Sequence, residues 1–300
     1  MTGLADRRTV LSGLAALGLP GCGPAPRAVP RQERVVPSLP VDFSALEARH
    51  GGRLGLYAVG DAGAVEWRGG ERFVYCSTFK MYLAAATLLR VQAGQEQLDR
   101  QIPITRADMI NHAPVTEPAV GGSLSIEQLM KGTVEVSDNP AANLLLKALG
   151  GLEAMQAFYR SLGDNSTRVD RFEPEMNRLD GDKDTITPAQ SVANMLRLFI
   201  RPDTPLSADS KAMLLGWMFT SPTGVGRIRA GVPAGWRVAH KTGTGGYGPT
   251  NDIGALYPPT GGPITIAIYY HGVRASSDEQ NEAVIAEATR MTLTALGHAA

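Results

Sequence analysis

The sequence predicts an α/β fold of the α+β kind: one antiparallel sheet built from both ends of the chain, with an all-helical lobe inserted between its halves. Three observations predict it. Short, partly alternating runs stand near the start (53–59 and 64–67) and again after Trp236 (237–241, 252–257 and 264–271). The stretch between them is punctuated by helix-capping signals. A last amphipathic run begins near Asp278 and carries Ala283, Val284, Ala286, Ala288 and Leu293 on its apolar positions.

The elements follow in order. Gly60-Asp-Ala-Gly63 between the first two runs suits a β-hairpin, so the domain is expected to open with strands. From Ser77 to about Gln92, Met81, Leu83, Ala84, Ala85, Leu88 and Leu89 leave little polar surface, which predicts a buried helix ended by Gly94. Ser125-Ile-Glu-Gln128 is a capping-box pattern. Asn139-Pro140 places proline in a first helical turn, and that helix runs to Gly150-Gly151. Thr187-Pro188 and Ser207 cap two further amphipathic runs, to about Ile200 and Phe219. Two lobes and one cleft result.

At 300 residues and 43% hydrophobic content the chain can bury a substantial core. Lys plus Arg (29) balances Asp plus Glu (29), so no long-range field favours nucleic acid. Residues 1–22 combine Arg7-Arg8, an apolar stretch from Val10 to Leu19, and Pro20-Gly21-Cys22, which reads as an export signal of twin-arginine type. Leu19-Pro-Gly-Cys22 also resembles a lipobox. Cys22 is then either acylated, as a membrane anchor, or discarded with the signal. Residues 23–40, rich in Pro and Arg, suit a tether, and 41–300 form the catalytic domain. The expected destination is the periplasm. Cys22 and Cys76 are the only cysteines, so the mature domain is expected to hold no disulfide.

Four short motifs carry the chemistry: Ser77-Thr-Phe-Lys80, Ser137-Asp138-Asn139, Glu173-Pro-Glu-Met-Asn177 and Lys241-Thr242-Gly243. Ser and Lys three apart share a helix face, and a neutral Lys80 could accept the Ser77 proton. Because nearly everything after Lys80 is apolar, its ammonium is expected at the buried end of a cleft, where burial without a role is costly. Ser137-Asp-Asn139 reads equally as a helix cap before Pro140; Asp138 can cap while its neighbours face a cleft. Gly243 lets a ligand approach a strand edge, where Lys241 and Thr242 offer donors to a carboxylate.

Together these motifs resemble the class A serine β-lactamases, in order, in spacing and in the flanking Pro114-Val-Thr-Glu117, Pro233-Ala-Gly-Trp236 and Thr250-Asn-Asp252 segments. The resemblance implies the β-lactamase/transpeptidase-like fold, with a five-stranded sheet, and hydrolysis of the β-lactam amide without metal or organic cofactor. Ser77 would be acylated, with the backbone amides of Ser77 and Thr244 as oxyanion hole. Lys80 or Glu173 would take the Ser77 proton, and Ser137 would relay a proton to the lactam nitrogen. Asn139 would bind the side-chain amide of the substrate, while Lys241, Thr242 and Gly243 receive its carboxylate. Glu173 with Asn177 would activate the deacylating water. Arg171 and Asp184 would pair across the neck of an Ω-loop, with a cis bond at Glu173-Pro174. Arg227 would supplement Lys241, and the Thr244 hydroxyl would favour cephalosporins. His112 stands where relatives place an aromatic gate and reads either as a stacking residue or as an ordinary loop residue. Cys76 lacks a thiol partner, since Gly245 occupies the partner position. A monomer is the family default. The rival readings are a D-alanyl-D-alanine peptidase, which generally lacks the deacylating Glu and Asn, and a membrane-linked β-lactam sensor.

Overall fold

A computed structural model of the chain describes residues 36–246 and 248–298. The export signal, Cys22 and most of the Pro-rich segment lie outside the described residues. The end of that segment, assigned by composition to a tether, packs on the domain: Leu39 N donates to Ala64 O (2.7 Å) and Ala64 N to Pro37 O (2.8 Å).

The first element is a helix, α1 (Ser44–His50), where the sequence pattern led directly to strands. Only Leu46 within it is buried, too little for an apolar period to register. β1 (Arg53–Gly60) and β2 (Gly63–Trp67) form the predicted hairpin, paired as far as Gly60 and Gly63 across a two-residue turn. After β3 (Phe73–Val74), a single 3-10 turn at Cys76–Thr78 leads into α2 (Phe79–Gln92), which is buried without interruption from Phe79 to Leu88.

β4 (Gln101–Pro103) and β5 (Ser123–Ser125) make a small sheet that patterning missed because three residues show no alternation. The capping box at Ser125 opens α3 (Ile126–Glu135), and Asp138 caps α4 (Asn139–Leu149), which ends at left-handed Gly150. α5 (Leu152–Ser161), β6 (Thr185–Ile186), α6 (Pro188–Met195), α7 (Ala208–Thr220) and the short α8 (Ile228–Gly231) complete the middle of the chain. β6 pairs with β3, and α6 runs on into a π-helical turn at 196–200. Then come β7 (Arg237–Thr244), β8 (Pro249–Tyr257), β9 (Ile264–His271) and α9 (Asp278–Ala295).

The main sheet is antiparallel in the order β2-β1-β9-β8-β7, so the last strand of the chain closes against the first. Strand alternation divides the interior. On β9, Ile266, Ile268 and Tyr270 point to a core shared with α1 and α9, while Ala267 and Tyr269 point to a second core shared with α2 and the helical lobe. β7 is left as the sheet edge beside the start of α2. Among the described residues no helix is long and apolar enough to cross a membrane.

Candidate active site

The nucleophile candidate sits on a strained turn. Cys76, immediately before it, has φ 48°, a left-handed conformation that a non-glycine side chain adopts at a cost of order 1–3 kcal/mol. Asn251 of β8 holds the turn by donating from Nδ2 to Val74 O (3.0 Å) and Tyr75 O (3.2 Å). Gly243 is required because a Cβ there would stand 2.7 Å from Tyr75 O and 3.1 Å from the Ser77 amide nitrogen. The edge of β7 therefore lies directly against the Ser77 backbone, the approach that a pair of amides converging on one oxygen demands.

Lys80 is fully buried, as the apolar run after it predicts. Its Nζ donates to Ser137 O (2.7 Å), Ser137 Oγ (3.3 Å) and Asn139 Oδ1, and lies 3.1 Å from Glu173 Oε1. Ser137, at φ 62°, is the second strained residue at the cleft. Asp138 both caps and ties: its carboxylate accepts from Ala141 N (2.8 Å), Val115 N (2.8 Å) and Thr116 N (2.9 Å). From the far side, Lys241 Nζ donates to Ser137 Oγ (3.2 Å) and Thr242 O (2.9 Å), so the Ser137 hydroxyl bridges two buried amines. Burial lowers the pKa of Lys80 against the pull of Glu173, and burial with the nearby Lys80 charge holds Lys241 well below its ordinary value.

Glu173 closes the third side. Ser77 Oγ donates to its Oε1 (3.3 Å), the same oxygen that Lys80 reaches, and Asn177 Nδ2 donates to its Oε2. The carboxylate is 2% exposed, which disposes of a surface-loop role. Arg171 Nε donates to Asp184 Oδ2 (2.6 Å), and Asp184 Oδ1 accepts from Asp170 N (2.8 Å) and Arg171 N (3.1 Å). The Glu173-Pro174 peptide is cis, as expected from the sequence.

Arg227 is buried and pairs with Glu282 (3.0 Å). It lines the cleft and donates to Gly243 O (3.1 Å), Asn251 O (2.9 Å) and Thr244 Oγ1 (2.8 Å). His112 lines the cleft, but its Nε2 lies 2.8 Å from Val136 O and its carbonyl accepts from Asn139 N. This is a loop-bracing arrangement on a residue at φ 60°. Cys76 is a free, buried thiol, its pKa pushed up by burial. The cleft encloses about 530 Å³ and brings together Ser77, Ser137, Asn139, Asn177, Thr242, Thr244, Arg227 and His112.

Motif reading missed several residues of this site. Asn143 accepts from Glu173 N (3.0 Å) and donates to Glu173 O (2.9 Å), and a lone Asn inside a predicted helix gives no such signal. Thr223 meets Thr242 hydroxyl to hydroxyl (2.9 Å). Arg178, Gly224 and Gly246 also line the cleft. Among the described residues no group of three or more His, Cys, Asp or Glu is placed to hold a metal ion.

Comparison with known proteins gives consistent matches. A family model described as the beta-lactamase enzyme family matches residues 39–296. The β-lactamase FAR-1 of Nocardia farcinica is 41% identical over 259 residues, which cover 85% of this chain and 82% of that protein. A carbapenem-hydrolysing β-lactamase, KPC of Klebsiella oxytoca, is 39% identical over 260 residues, 85% of this chain and 88% of that one. Among solved structures, an ancestral class A β-lactamase matches with a TM-score of 0.81 at 44% identity, covering 84% of this chain and 98% of its own. A class A β-lactamase from Mycobacterium abscessus matches with a TM-score of 0.81 at 41% identity, covering 85% and 98%.

Proposed function

The chain belongs to the class A serine β-lactamases and hydrolyses β-lactams through a serine acyl-enzyme, and we propose that Ser77, Lys80, Ser137 and Glu173 carry that reaction here. The observation that carries the assignment is the position of Glu173 Oε1, 3.3 Å from Ser77 Oγ and 3.1 Å from Lys80 Nζ, with Asn177 on the other carboxylate oxygen.

In acylation, Ser77 Oγ attacks the lactam carbonyl while its proton passes to the Lys80–Glu173 pair. The developing oxyanion is received by the amides of Ser77 and Thr244, and losing one such donor costs about 10²–10³ in rate in other hydrolases. Ser137 Oγ, bridging Lys80 and Lys241, is placed to hand a proton to the departing lactam nitrogen. Lys241, Thr242 and Gly243, with Arg227 acting through Thr244, form the carboxylate end of the cleft, and Asn139 the side-chain amide end. In deacylation, Glu173 removes a proton from the attacking water, whose position Asn177 fixes.

Export by residues 1–22, residence in the periplasm, with Cys22 either acylated as a membrane anchor or discarded with the signal, and a monomeric state belong to the same reading. The supporting features are Arg7-Arg8, the apolar stretch and Cys22 itself.

Ser77→Ala is expected to remove turnover of a chromogenic cephalosporin, a loss of at least about 10³-fold, with the fold retained by circular dichroism. Residual wild-type turnover in the folded variant would place the nucleophile elsewhere.

A further inference from the structure

Behind the Lys241 end of the cleft, two ionisable side chains outside the four motifs face each other. His240 and Asp252 are both fully buried. Nδ1 of His240 lies 3.0 Å from Asp252 Oδ1 and 2.9 Å from Oδ2. Asp252 Oδ2 also accepts from the amide of Ile228 at 3.2 Å. The carboxylate has only lone pairs to offer, so Nδ1 is the donor. Nε2 of the same ring is buried and has no hydrogen-bond partner among the described residues. A sealed pair with one ring nitrogen unsatisfied costs stability rather than adding to it.

The surroundings show what the pair holds. His240 directly precedes Lys241 on β7, and Ile228 directly follows Arg227 at the start of α8. Asp252 stands on β8 opposite Thr242. One carboxylate thus joins the strand that presents Lys241 and Thr242 to the turn that presents Arg227. The strands close tightly around it: a Cβ on Gly254, the partner of His240 across the sheet, would stand 2.3 Å from Ala239 O and 3.1 Å from His240 Cα. The charge of Asp252 also favours the protonated form of Lys241, against the loss that burial imposes.

We propose that His240 and Asp252 are positioning residues for recognition of the substrate carboxylate, fixing Lys241 and Arg227 relative to each other at that end of the cleft. The proposal rests on the β-lactamase reading of the cleft. Neither side chain touches substrate. Their effect falls mainly on substrates that carry the carboxylate, and less on acyl transfer, which feels it only through β7 and the Lys241 bond to Ser137 Oγ.

The test compares a chromogenic cephalosporin with its methyl ester, which lacks the carboxylate, on the full catalytic domain and three variants. His240→Leu removes the Nδ1 donor, and Asp252→Asn removes the charge. His240→Asn keeps a donor close to the position of Nδ1. For the free acid, His240→Leu and Asp252→Asn are expected to lower kcat/KM about tenfold through KM, with kcat within roughly threefold, the loss of one charge-assisted interaction. The ester is expected to lose no more than about threefold, and His240→Asn to restore the free-acid KM. Equal losses on acid and ester would overturn the proposal, as would unchanged KM in the folded variants or failure of His240→Asn to restore it. If His240→Leu does not fold, Asp252→Asn against His240→Asn gives the same decision. Wild-type turnover of the free acid reports separately on the β-lactamase reading, because the acid-to-ester ratio alone carries the pair.

Discussion

At the residue scale, the site buries two amines and gives only one of them a carboxylate within ion-pair distance. Lys80 has Glu173 at 3.1 Å, whereas Lys241 has only hydroxyl and carbonyl acceptors within hydrogen-bonding distance. Lys241→Met is therefore expected to raise stability by about 0.5–2 kcal/mol at neutral pH while raising KM for carboxylate-bearing substrates at least about tenfold. The pH dependence follows from the sign of the shift. The native pKa of Lys241 lies below the ordinary 10.5, so between those two values the unfolded chain holds a proton that the native state lacks. Stability then rises with pH across that window. The advantage of Lys241→Met should be largest below the native pKa and vanish above about 10.5. Thermal melts from pH 6 to 10 check it, and a variant less stable than wild type throughout would contradict the picture of a buried cation whose partners do not offset its desolvation. The same scale shows where sequence reading stops. Ser77, Lys80, Ser137 and Lys241 are legible because their spacing is local, but the Asn143 bracket on Glu173 and the Asp252 link to Ile228 join residues 30 and 24 positions apart, respectively, with no local pattern.

At the scale of elements, the 171–184 loop owes its shape to one buried carboxylate. Asp184 receives Arg171 Nε, the amides of Asp170 and Arg171, and the Tyr75 hydroxyl at 3.2 Å. Asp184→Ala would leave two amides without their acceptor and the Arg171 guanidinium with only Arg178 O and the more distant Asp180. A loss of roughly 1–3 kcal/mol is expected, as for buried donors left without an acceptor. Because Glu173 and Asn177 ride on this loop, deacylation should slow more than acylation. Thermal denaturation with mass mapping of proteolytic cuts, alongside pre-steady-state kinetics, checks both expectations; unchanged melting with no new cleavage in the loop would rule them out. Element boundaries were legible where a cap announces them, as at Ser125, Asp138, Thr187 and Ser207. α1, β3, β4, β5 and β6 were not, since elements of two to seven residues with at most two buried side chains hold no measurable period.

At the scale of the whole molecule, the sheet order β2-β1-β9-β8-β7 makes the fold depend on both ends of the chain. The strand runs before residue 70 and after Trp236 announced this, because a two-stranded hairpin is marginal alone and must add to the later strands. The sequence left open which face of β9 serves which core, since both faces of that strand are apolar. The architecture serves the chemistry by bringing α2, the 137–139 turn, the 171–184 loop and the edge strand β7 to one cleft. The central claim, that Glu173 lets this cleft release its acyl-enzyme, is tested most directly by intact mass spectrometry of wild type and Glu173→Ala after mixing with a β-lactam. Loss of a general base costs about 10²–10⁴ in rate, so wild type should turn over without retaining mass while Glu173→Ala accumulates one acyl adduct on Ser77. A persistent stoichiometric adduct on wild type, or equally fast release by Glu173→Ala, would contradict the account.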